Sequence, residues 1–244
     1  MSATQKIRII TETWAARNLY CPCCGHINIA RFQNNKPVAD FFCPKCQEEY
    51  ELKSKEGKLG GSIIDGAYNT MINRIRSINN PNFLFLNYRK ADMRIQNFIF
   101  IPKYYFTPDV IEKRKPLSPT ARRAGWTGCN ICIDKIPKTG WIYLIDNERP
   151  LPPQDVIYKF KQTNFIRNYK LDGRGWMLDV LTCIQRIPTD EFFLSDMYEF
   201  ERDLQKKYPS NHHIKEKIRQ QLQLLRDKNI VRFVGNGKYQ KLIQ

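Results

Sequence analysis

Short apolar runs separated by polar and proline-containing segments dominate the first two thirds of the chain. The runs FLFLNYRK at 83–90, QNFIFIPKYYF at 96–106 and WIYLID at 141–146 have the length and composition of buried strands. Residues 5–19 predict a helix, or a strand followed by a helix, and residues 63–78 carry apolar side chains at helical spacing. The members of that predicted helix face are Ile64, Ala67, Tyr68, Met71, Ile75 and Ile78. Strands arranged around helices predict an α/β core.

The last third of the chain has a different pattern. The polar stretch LDGRG at 171–175 predicts a boundary, which divides the chain into a domain of residues 1–170 and a domain of residues 171–244. Three segments of helical periodicity follow, at 175–186, 195–207 and 211–227. Two short strand patterns joined by Gly235-Asn236-Gly237, a sequence typical of a hairpin turn, come last. Three helices followed by a hairpin predict a C-terminal winged helix-turn-helix domain.

The charge of the chain is strongly positive. Its 40 Lys and Arg residues outnumber 24 Asp and Glu, for a net charge of +16. Such a surplus attracts a polyanion and so predicts a nucleic-acid partner, although a basic surface that only maintains solubility is an alternative. We expect no membrane partner, because no basic amphipathic helix carries an aromatic face. The sequence has no long apolar run and no signal-peptide pattern, so we expect a cytoplasmic protein.

Eight cysteines in such a chain indicate metal binding or free thiols rather than disulfides. Two C-x2-C pairs with 18 residues between them have the spacing of a tetrahedral zinc site, and they consist of Cys21, Cys24, Cys43 and Cys46. Four thiolates leave no open position on the ion, so the predicted zinc is structural. Cys23 and His26 are competing ligands near the first pair. We interpret Cys129, Cys132 and Cys183 as structural thiols, and the alternative is a second metal site or a redox role.

The residues around the second cysteine pair have the spacing of a metal-dependent nuclease. Asp40 precedes the turn at Cys43–Cys46 and Glu51 follows it, so two strands joined by that turn would bring the carboxylates together. Glu51 and Lys53 alternate on a strand and point to the same face. Asp40, Glu51 and the backbone carbonyl of Leu52 would bind Mg²⁺, while Lys53 would orient or deprotonate the attacking water. The alternative is a solvated, salt-bridging face, because the pattern D-x10-E-x-K is short and loose.

Four longer runs give the chain a resemblance to a known family. In chain order they are NNKPVADFFCPKC…EYELKSK, DGAYNTM, KPLSPTARRAGWTGCNI and NHHIKEKIRQQLQLLRD. Together they resemble the DpnI family of methyl-directed restriction endonucleases over nearly the whole chain. The resemblance implies a PD-(D/E)xK nuclease domain opening at Pro37-x-x-Asp40, followed by a winged helix. It also implies Mg²⁺-dependent double-strand cleavage at GATC with an N6-methyladenine, catalytic roles for Asp40, Glu51 and Lys53, and zinc on the four cysteines.

A reader of N6-methyladenine needs an apolar wall for the methyl group and polar groups for the base edge in the major groove. Arg122, Arg123 and Trp126 supply this mixture within one short stretch. The arginines suit phosphates or guanine edges, and Trp126 suits contact with the methyl group. The alternative for Trp126 is burial in the core, where most tryptophans are found.

The helix predicted at 211–227 has one apolar face and one polar face. The apolar face, which we expect in the core, consists of Ile214, Ile218, Leu222 and Leu225. Candidates for base or phosphate contact are Asn211, Lys215, Arg219 and Gln220. For each candidate a merely solvated helix face is the alternative interpretation.

Two other functions are compatible with the sequence. One is a non-cleaving regulator that binds methylated DNA, and the other is a nuclease acting on RNA or branched DNA. Cleavage of methylated and unmethylated DNA in the presence of Mg²⁺ distinguishes all three. The sequence has no heptad seam or long apolar surface helix, so we expect a monomer.

Overall fold

The computed structural model describes residues 1–32, 39–77 and 79–242. Pro37, which opens the predicted nuclease motif, and Ile78, the last residue of the predicted helix face, lie outside the described residues. Within the described part of the chain, no helix is long and apolar enough to cross a membrane.

The chain divides into two compact units. The first comprises Met1–Ile136 and Gly140–Ile166, and the second comprises Pro137–Thr139 and Arg167–Gln244. The first unit combines helices with two sheets, and the second combines helices with one small sheet. The predicted α/β class is therefore confirmed.

The first unit is built on a seven-stranded sheet and a three-stranded sheet. Its strands are β1 (Ala30–Arg31), β2 (Phe41–Phe42), β3 (Glu49–Glu56), β4 (Ser62–Ala67), β5 (Asn82–Tyr88), β6 (Ile95–Ile101), β7 (Ile111–Lys113), β8 (Gly128–Cys132), β9 (Ile142–Asp146) and β10 (Arg149–Pro150). Its helices are α1 (Ala3–Asn18), α2 (Tyr68–Arg76) and α3 (Pro153–Thr163). The larger sheet has the order β1-β2-β3-β5-β6-β9-β10, and the smaller has the order β4-β8-β7.

The middle of the larger sheet forms the apolar core of the first unit. Every residue of β5 and the last four residues of β6 are buried, as the apolar runs at 83–90 and 96–106 predict. Strands β3 and β5 run parallel, with Glu51 beside Phe83 and Lys53 beside Phe85. Parallel neighbours require a crossover connection, and β4 and α2 lie in it. Strand β3 is thus held firmly against a buried strand.

The prediction of one helix over 63–78 is wrong at its N-terminal end. Residues Ser62–Ala67 form β4, which pairs with β8, and α2 begins only at Tyr68. The side chains alternate as in a strand, since Ile63 is buried whereas Ile64 is 69% exposed. Pairing with β8 satisfies the backbone groups that a helix would satisfy internally, so tertiary context overrides the weak helical period.

The second unit has the arrangement of a winged helix-turn-helix. Its helices are α4 (Leu171–Arg186), α5 (Leu194–Tyr198), α6 (Glu201–Lys207) and α7 (Ile214–Asp227). Its strands β11 (Glu191–Phe193), β12 (Val231–Gly235) and β13 (Lys238–Lys241) form one antiparallel sheet in the order β11-β13-β12. The predicted hairpin therefore gains a third strand, and the helix predicted at 195–207 is two short helices. The apolar face predicted for α7 is buried: Ile214, Ile218, Leu222 and Leu225.

Candidate active site

Four cysteine sulfurs form a compact cluster in the first unit. The Sγ atoms of Cys21, Cys24, Cys43 and Cys46 all lie within 4.8 Å of one another. The separation is 3.5 Å between Cys21 and Cys46 and 3.6 Å between Cys24 and Cys43. Tetrahedral zinc with Zn–S bonds of about 2.3 Å places its sulfurs about 3.8 Å apart, so the cluster fits one zinc ion. Burial raises the pKa of Cys24 and of Cys46, so a cation is needed to hold both as thiolates.

The second cysteine pair forms the turn between β2 and β3. Within it the N–H of Gln47 donates to the carbonyl of Cys43 at 2.9 Å, and Gln47 adopts a positive φ of 60°. Beyond the turn Phe41 pairs with Tyr50, and the N–H of Asp40 donates to the carbonyl of Tyr50 at 2.9 Å. The cysteine turn therefore sets which residue of β3 lies beside Asp40.

Asp40 is fixed to the strand that carries Glu51 and Lys53. Its Oδ2 accepts the backbone N–H of Leu52 at 2.8 Å. On the same strand, the ammonium of Lys53 forms an ion pair with Glu51 Oε1. The structure thus brings Asp40, Glu51 and Lys53 to one place, as the spacing on two strands around the turn predicts.

Sequence reasoning missed one carboxylate at this place. Asp65 on β4 forms a second ion pair with Lys53, so the ammonium lies between Glu51 and Asp65. Only 9% of the Glu51 side chain and 6% of the Asp65 side chain are exposed. Asp65 belongs to the DGAYNTM run, and its approach to Lys53 depends on the β3–β5 crossover, which no local spacing reveals.

Burial is the largest influence on the pKa values of the carboxylates at this site. It raises the pKa of Glu51 to about 7, with Asp65 and Asp40 adding to the rise and Lys53 opposing it. Burial also raises the pKa of Asp40, and the hydrogen bond from Leu52 opposes that rise. Burial lowers the pKa of Lys53, but Glu51 and Asp65 outweigh this and hold it above its ordinary value. Lys53 is therefore an ammonium group.

Helix α1 places Arg8 at the edge of this group, and its Glu12 also holds Arg31 of β1. Glu12 accepts a hydrogen bond from Arg8 at 2.5 Å on Oε1 and one from Arg31 at 2.7 Å on Oε2. The side chain of Arg8 is 70% exposed and also lies 3.4 Å from Asp40 Oδ1. Because both oxygens of Glu12 are occupied, α1 presents positive charge rather than a free carboxylate beside Asp40.

The loop between β7 and β8 carries the predicted methyl-reading residues. Arg122 and Arg123 are exposed and Trp126 is half-buried, so Trp126 is not a core residue. The guanidinium of Arg123 lies 4.8 Å from the centre of the Trp126 ring. The ring closely approaches Gly128, where an added Cβ would lie 3.0 Å from it. The carbonyl of Trp126 also accepts the N–H of Leu117 at 2.9 Å, so the loop holds the ring near the protein surface.

The polar residues predicted on α7 lie on its surface. Three of the candidates are exposed on the helix, namely Lys215, Arg219 and Gln220. The fourth, Asn211, is half-buried before the helix, and its side-chain oxygen accepts the N–H of His213 at 2.8 Å. Arg219 donates to the hydroxyl of Tyr198 at 2.9 Å, which holds its guanidinium on the exposed face.

Comparison with protein families covers both units. The family model described as DpnI, Dam-replacing family, matches residues 1–169. The chain belongs to the DpnI family. A second model, the Dam-replacing HTH domain of DpnI, matches residues 172–241 and covers α4 to β13. The resemblance carried by the four sequence runs is confirmed, and membership of the DpnI family implies a nuclease with a DNA-binding C-terminal part.

Two carboxylate oxygens in this DpnI-family chain are buried without a partner among the described residues. They are Glu51 Oε2 and Asp65 Oδ2. An unpaired buried anionic oxygen is costly, so each one needs a cation or a donor. Glu51 and Asp65 share the ammonium of Lys53, and Asp40 lies beside Arg8. Carboxylate oxygens left unpaired in this way suit a hard divalent cation such as Mg²⁺.

The third C-x-x-C pair lies on β8, where Cys129 and Cys132 are both buried. The thiol of Cys129 lies 3.5 Å from the carbonyl oxygen of Gly66 on the neighbouring strand β4. Across the described ranges, the four-cysteine cluster is the only group of three or more suitable ligands within reach of one ion. The interpretation of Cys129 and Cys132 as structural thiols stays a prediction.

Proposed function

We propose that the protein is a methylation-dependent restriction endonuclease with a PD-(D/E)xK catalytic centre. It hydrolyses both strands of DNA at GATC sites that carry N6-methyladenine, with Mg²⁺ as the catalytic cofactor. The proposal rests on one observation, the proximity of Asp40, Glu51 and Lys53 in a largely buried site of a DpnI-family chain. The net charge of +16 supports DNA as the partner.

Asp40 and Glu51 are the side chains that would hold Mg²⁺, together with the carbonyl of Leu52. The N–H and C=O of one residue point to the same side of an extended strand, and the N–H of Leu52 donates to Asp40. The carbonyl of Leu52 therefore faces the side on which Asp40 lies. When bound, Mg²⁺ polarises the scissile phosphate and lowers the pKa of a bound water.

Lys53 would act as a fixed positive charge beside the scissile phosphate. Its ion pairs with Glu51 and Asp65 favour the ammonium form, which donates hydrogen bonds and does not accept a proton. As a donor it would orient the attacking water and stabilise the charge that develops on the phosphate oxygens. Arg8, exposed beside Asp40, would bind a phosphate of the same strand.

The cysteine cluster would hold structural Zn²⁺. The four sulfurs have the separation that one zinc ion requires, and four thiolates leave no position for a substrate. Zinc would stabilise the turn between β2 and β3, which sets the position of Asp40 beside Glu51. Its contribution to cleavage would therefore be geometric.

Recognition of the methylated site would involve residues of both units. In the first unit, the half-buried ring of Trp126 would contact the methyl group, and Arg122 and Arg123 would contact phosphates or guanine edges. In the second unit, α7 would enter the major groove. The residues of the second unit proposed for DNA contact are Asn211, which precedes α7, and Lys215, Arg219 and Gln220 on α7.

Plasmid DNA from adenine-methylating and non-methylating hosts tests the proposal. With Mg²⁺, we expect cleavage of the methylated plasmid into discrete fragments and no cleavage of the other plasmid. Binding of the methylated plasmid without cleavage would instead identify a non-cleaving regulator. Cleavage of both plasmids would identify a nuclease that does not read methylation.

A further inference from the structure

We propose that Asp65 is a positioning residue of the catalytic centre, which holds the Lys53 ammonium away from Glu51 when a divalent cation binds there. This inference rests on the proposed nuclease function. It assigns a role to the DGAYNTM run, which the proposed function leaves without one. The role follows from the contacts of Asp65, Lys53 and Glu51.

The three side chains come from two different sheets. Glu51 and Lys53 lie two residues apart on β3, whereas Asp65 lies on β4 and pairs with Cys129 of β8. Lys53 forms ion pairs with Oε1 of Glu51 and with Oδ1 of Asp65. The contact with Asp65 therefore ties the ammonium to a sheet other than the one that carries Glu51.

Asp65 is itself held in place by its local backbone. Its Oδ1 accepts the N–H of Gly66 at 2.7 Å, and the pairing of β4 with β8 is irregular between Asp65 and Ala67. The carbonyl of Gly66 accepts the buried Cys129 thiol at 3.5 Å. A carboxylate with a fixed oxygen is suited to hold an ammonium at a defined point.

The number of charges shows why Lys53 needs a second anion. A cation on Glu51 would lie near the ammonium that now pairs with the same carboxylate, and the two positive charges would repel each other. With Asp65 present, Lys53 can release Glu51 and keep one ion pair. Without Asp65, Glu51 is the only acidic partner of the ammonium among the described residues, so the ammonium competes directly with the entering cation.

A simple structural ion pair is a weaker explanation for this arrangement. The side chains of Asp65 and Glu51 are more than nine tenths buried, and each keeps one oxygen without a partner among the described residues. A pair that serves stability alone is favoured when the remaining oxygens are satisfied. The unpaired oxygens instead indicate a place built to receive a further positive charge.

Titration calorimetry with Mg²⁺ tests the proposal without any reaction. We expect Asp65→Asn to weaken Mg²⁺ binding about 10-fold or more, the size typical of losing a partner that orients a ligand. In a Lys53→Met background no ammonium is left to compete, so adding Asp65→Asn should change Mg²⁺ binding by less than about 2-fold. The control is Glu112→Gln, which removes a carboxylate from β7 of the same small sheet. This variant should bind Mg²⁺ as the unaltered protein does.

The outcomes of this cycle are distinct. Equal weakening by Asp65→Asn in both backgrounds would make Asp65 a direct cation ligand and overturn the positioning role. Unchanged Mg²⁺ binding with a lowered melting temperature would make its role purely structural and would also overturn it. Circular dichroism checks that every variant is folded, and Asp65→Glu, which restores the charge, should recover part of the lost affinity.

Single-turnover cleavage separates this inference from the proposed function. If the unaltered protein does not cut methylated DNA, the nuclease proposal fails before Asp65 is considered. If it cuts and Asp65→Asn cuts at the same rate at every Mg²⁺ concentration, only the inference fails. We expect Asp65→Asn to require about 10-fold more Mg²⁺ for half of its maximal rate.

Discussion

The hydroxyl of Tyr50 lies 2.9 Å from the sulfur of Cys21, and Tyr50 directly precedes Glu51 on β3. The Tyr50 side chain is completely buried, and its carbonyl accepts the N–H of Asp40. One residue thus contacts the cysteine cluster with its side chain and the backbone of Asp40, a proposed catalytic residue, with its own backbone. The cluster and the proposed catalytic centre are therefore parts of one local structure.

Removal of zinc should abolish cleavage even with Mg²⁺ in excess. Without zinc the four thiols no longer fix the turn at Cys43–Cys46, so Asp40 loses its defined position beside Glu51. We expect treatment with a zinc-selective chelator to release one zinc per chain and to lower the melting temperature. Full cleavage by zinc-free protein would show that the cluster does not position the carboxylates.

Substitution of the proposed catalytic residues should slow cleavage strongly and spare DNA binding. Asp40→Asn removes a cation ligand and Lys53→Met removes a fixed positive charge, so each should slow single-turnover cleavage about 100- to 1000-fold. Binding measured with Ca²⁺ in place of Mg²⁺ should change little. Asp92→Asn, which alters an exposed carboxylate paired with Arg89, is the matched control and should cleave normally. Normal cleavage by Asp40→Asn would remove Asp40 from the catalytic centre.

The pKa of Glu51 predicts how stability depends on pH. Burial raises it from 4.5 to about 7, so this group contributes stability below about pH 4.5 and loses it as pH rises through about 7. The cation-free protein should therefore melt at a lower temperature at about pH 8 than at about pH 5, and Glu51→Gln should reduce this difference. Mg²⁺ should restore stability at the higher pH, because it pairs with the ionised carboxylate. An identical pH dependence in Glu51→Gln would contradict the prediction.

Substitution of Trp126 should lower discrimination between methylated and unmethylated DNA more than it lowers the maximal rate. Loss of one methyl contact corresponds to about 1–3 kcal/mol, or roughly 10- to 200-fold in preference. We expect Trp126→Ala to lose preference in that range when kcat/KM is compared on the two DNAs. Trp126→Phe keeps an aromatic wall and should retain most of the preference. Equal loss on both DNAs would make Trp126 a residue of general DNA binding.

The local parts of the candidate site could be predicted from the sequence, because their spacing along the chain fixes their geometry. Asp40 and Glu51 flank a cysteine turn between adjacent strands, and Lys53 is two residues further on the same strand. Asp65 could not be found in this way, since its contact with Lys53 forms only when the crossover folds back on β3. Local patterns therefore predict Asp40, Glu51 and Lys53, but they do not reveal the ion pair between Lys53 and Asp65.

The secondary structure likewise has parts that local patterns predict and parts that depend on pairing with distant strands. The buried strands β5 and β6 and the apolar face of α7 follow from hydrophobic patterns within single segments. The strand at Ser62–Ala67 does not, because its conformation is decided by pairing with β8. Likewise β11 joins the hairpin of the second unit through pairing with the distant strand β13.

Methylation-dependent cleavage is tested most directly with two DNA duplexes that contain a single GATC site and differ only in adenine methylation. The unaltered protein and Asp40→Asn are each incubated with the fully methylated and the unmethylated duplex, in Mg²⁺ and in Ca²⁺. We expect rapid double-strand cleavage only for the unaltered protein with Mg²⁺ and the methylated duplex, while Asp40→Asn still binds that duplex. Equal cleavage of the two duplexes, or cleavage by Asp40→Asn at the rate of the unaltered protein, would contradict this prediction.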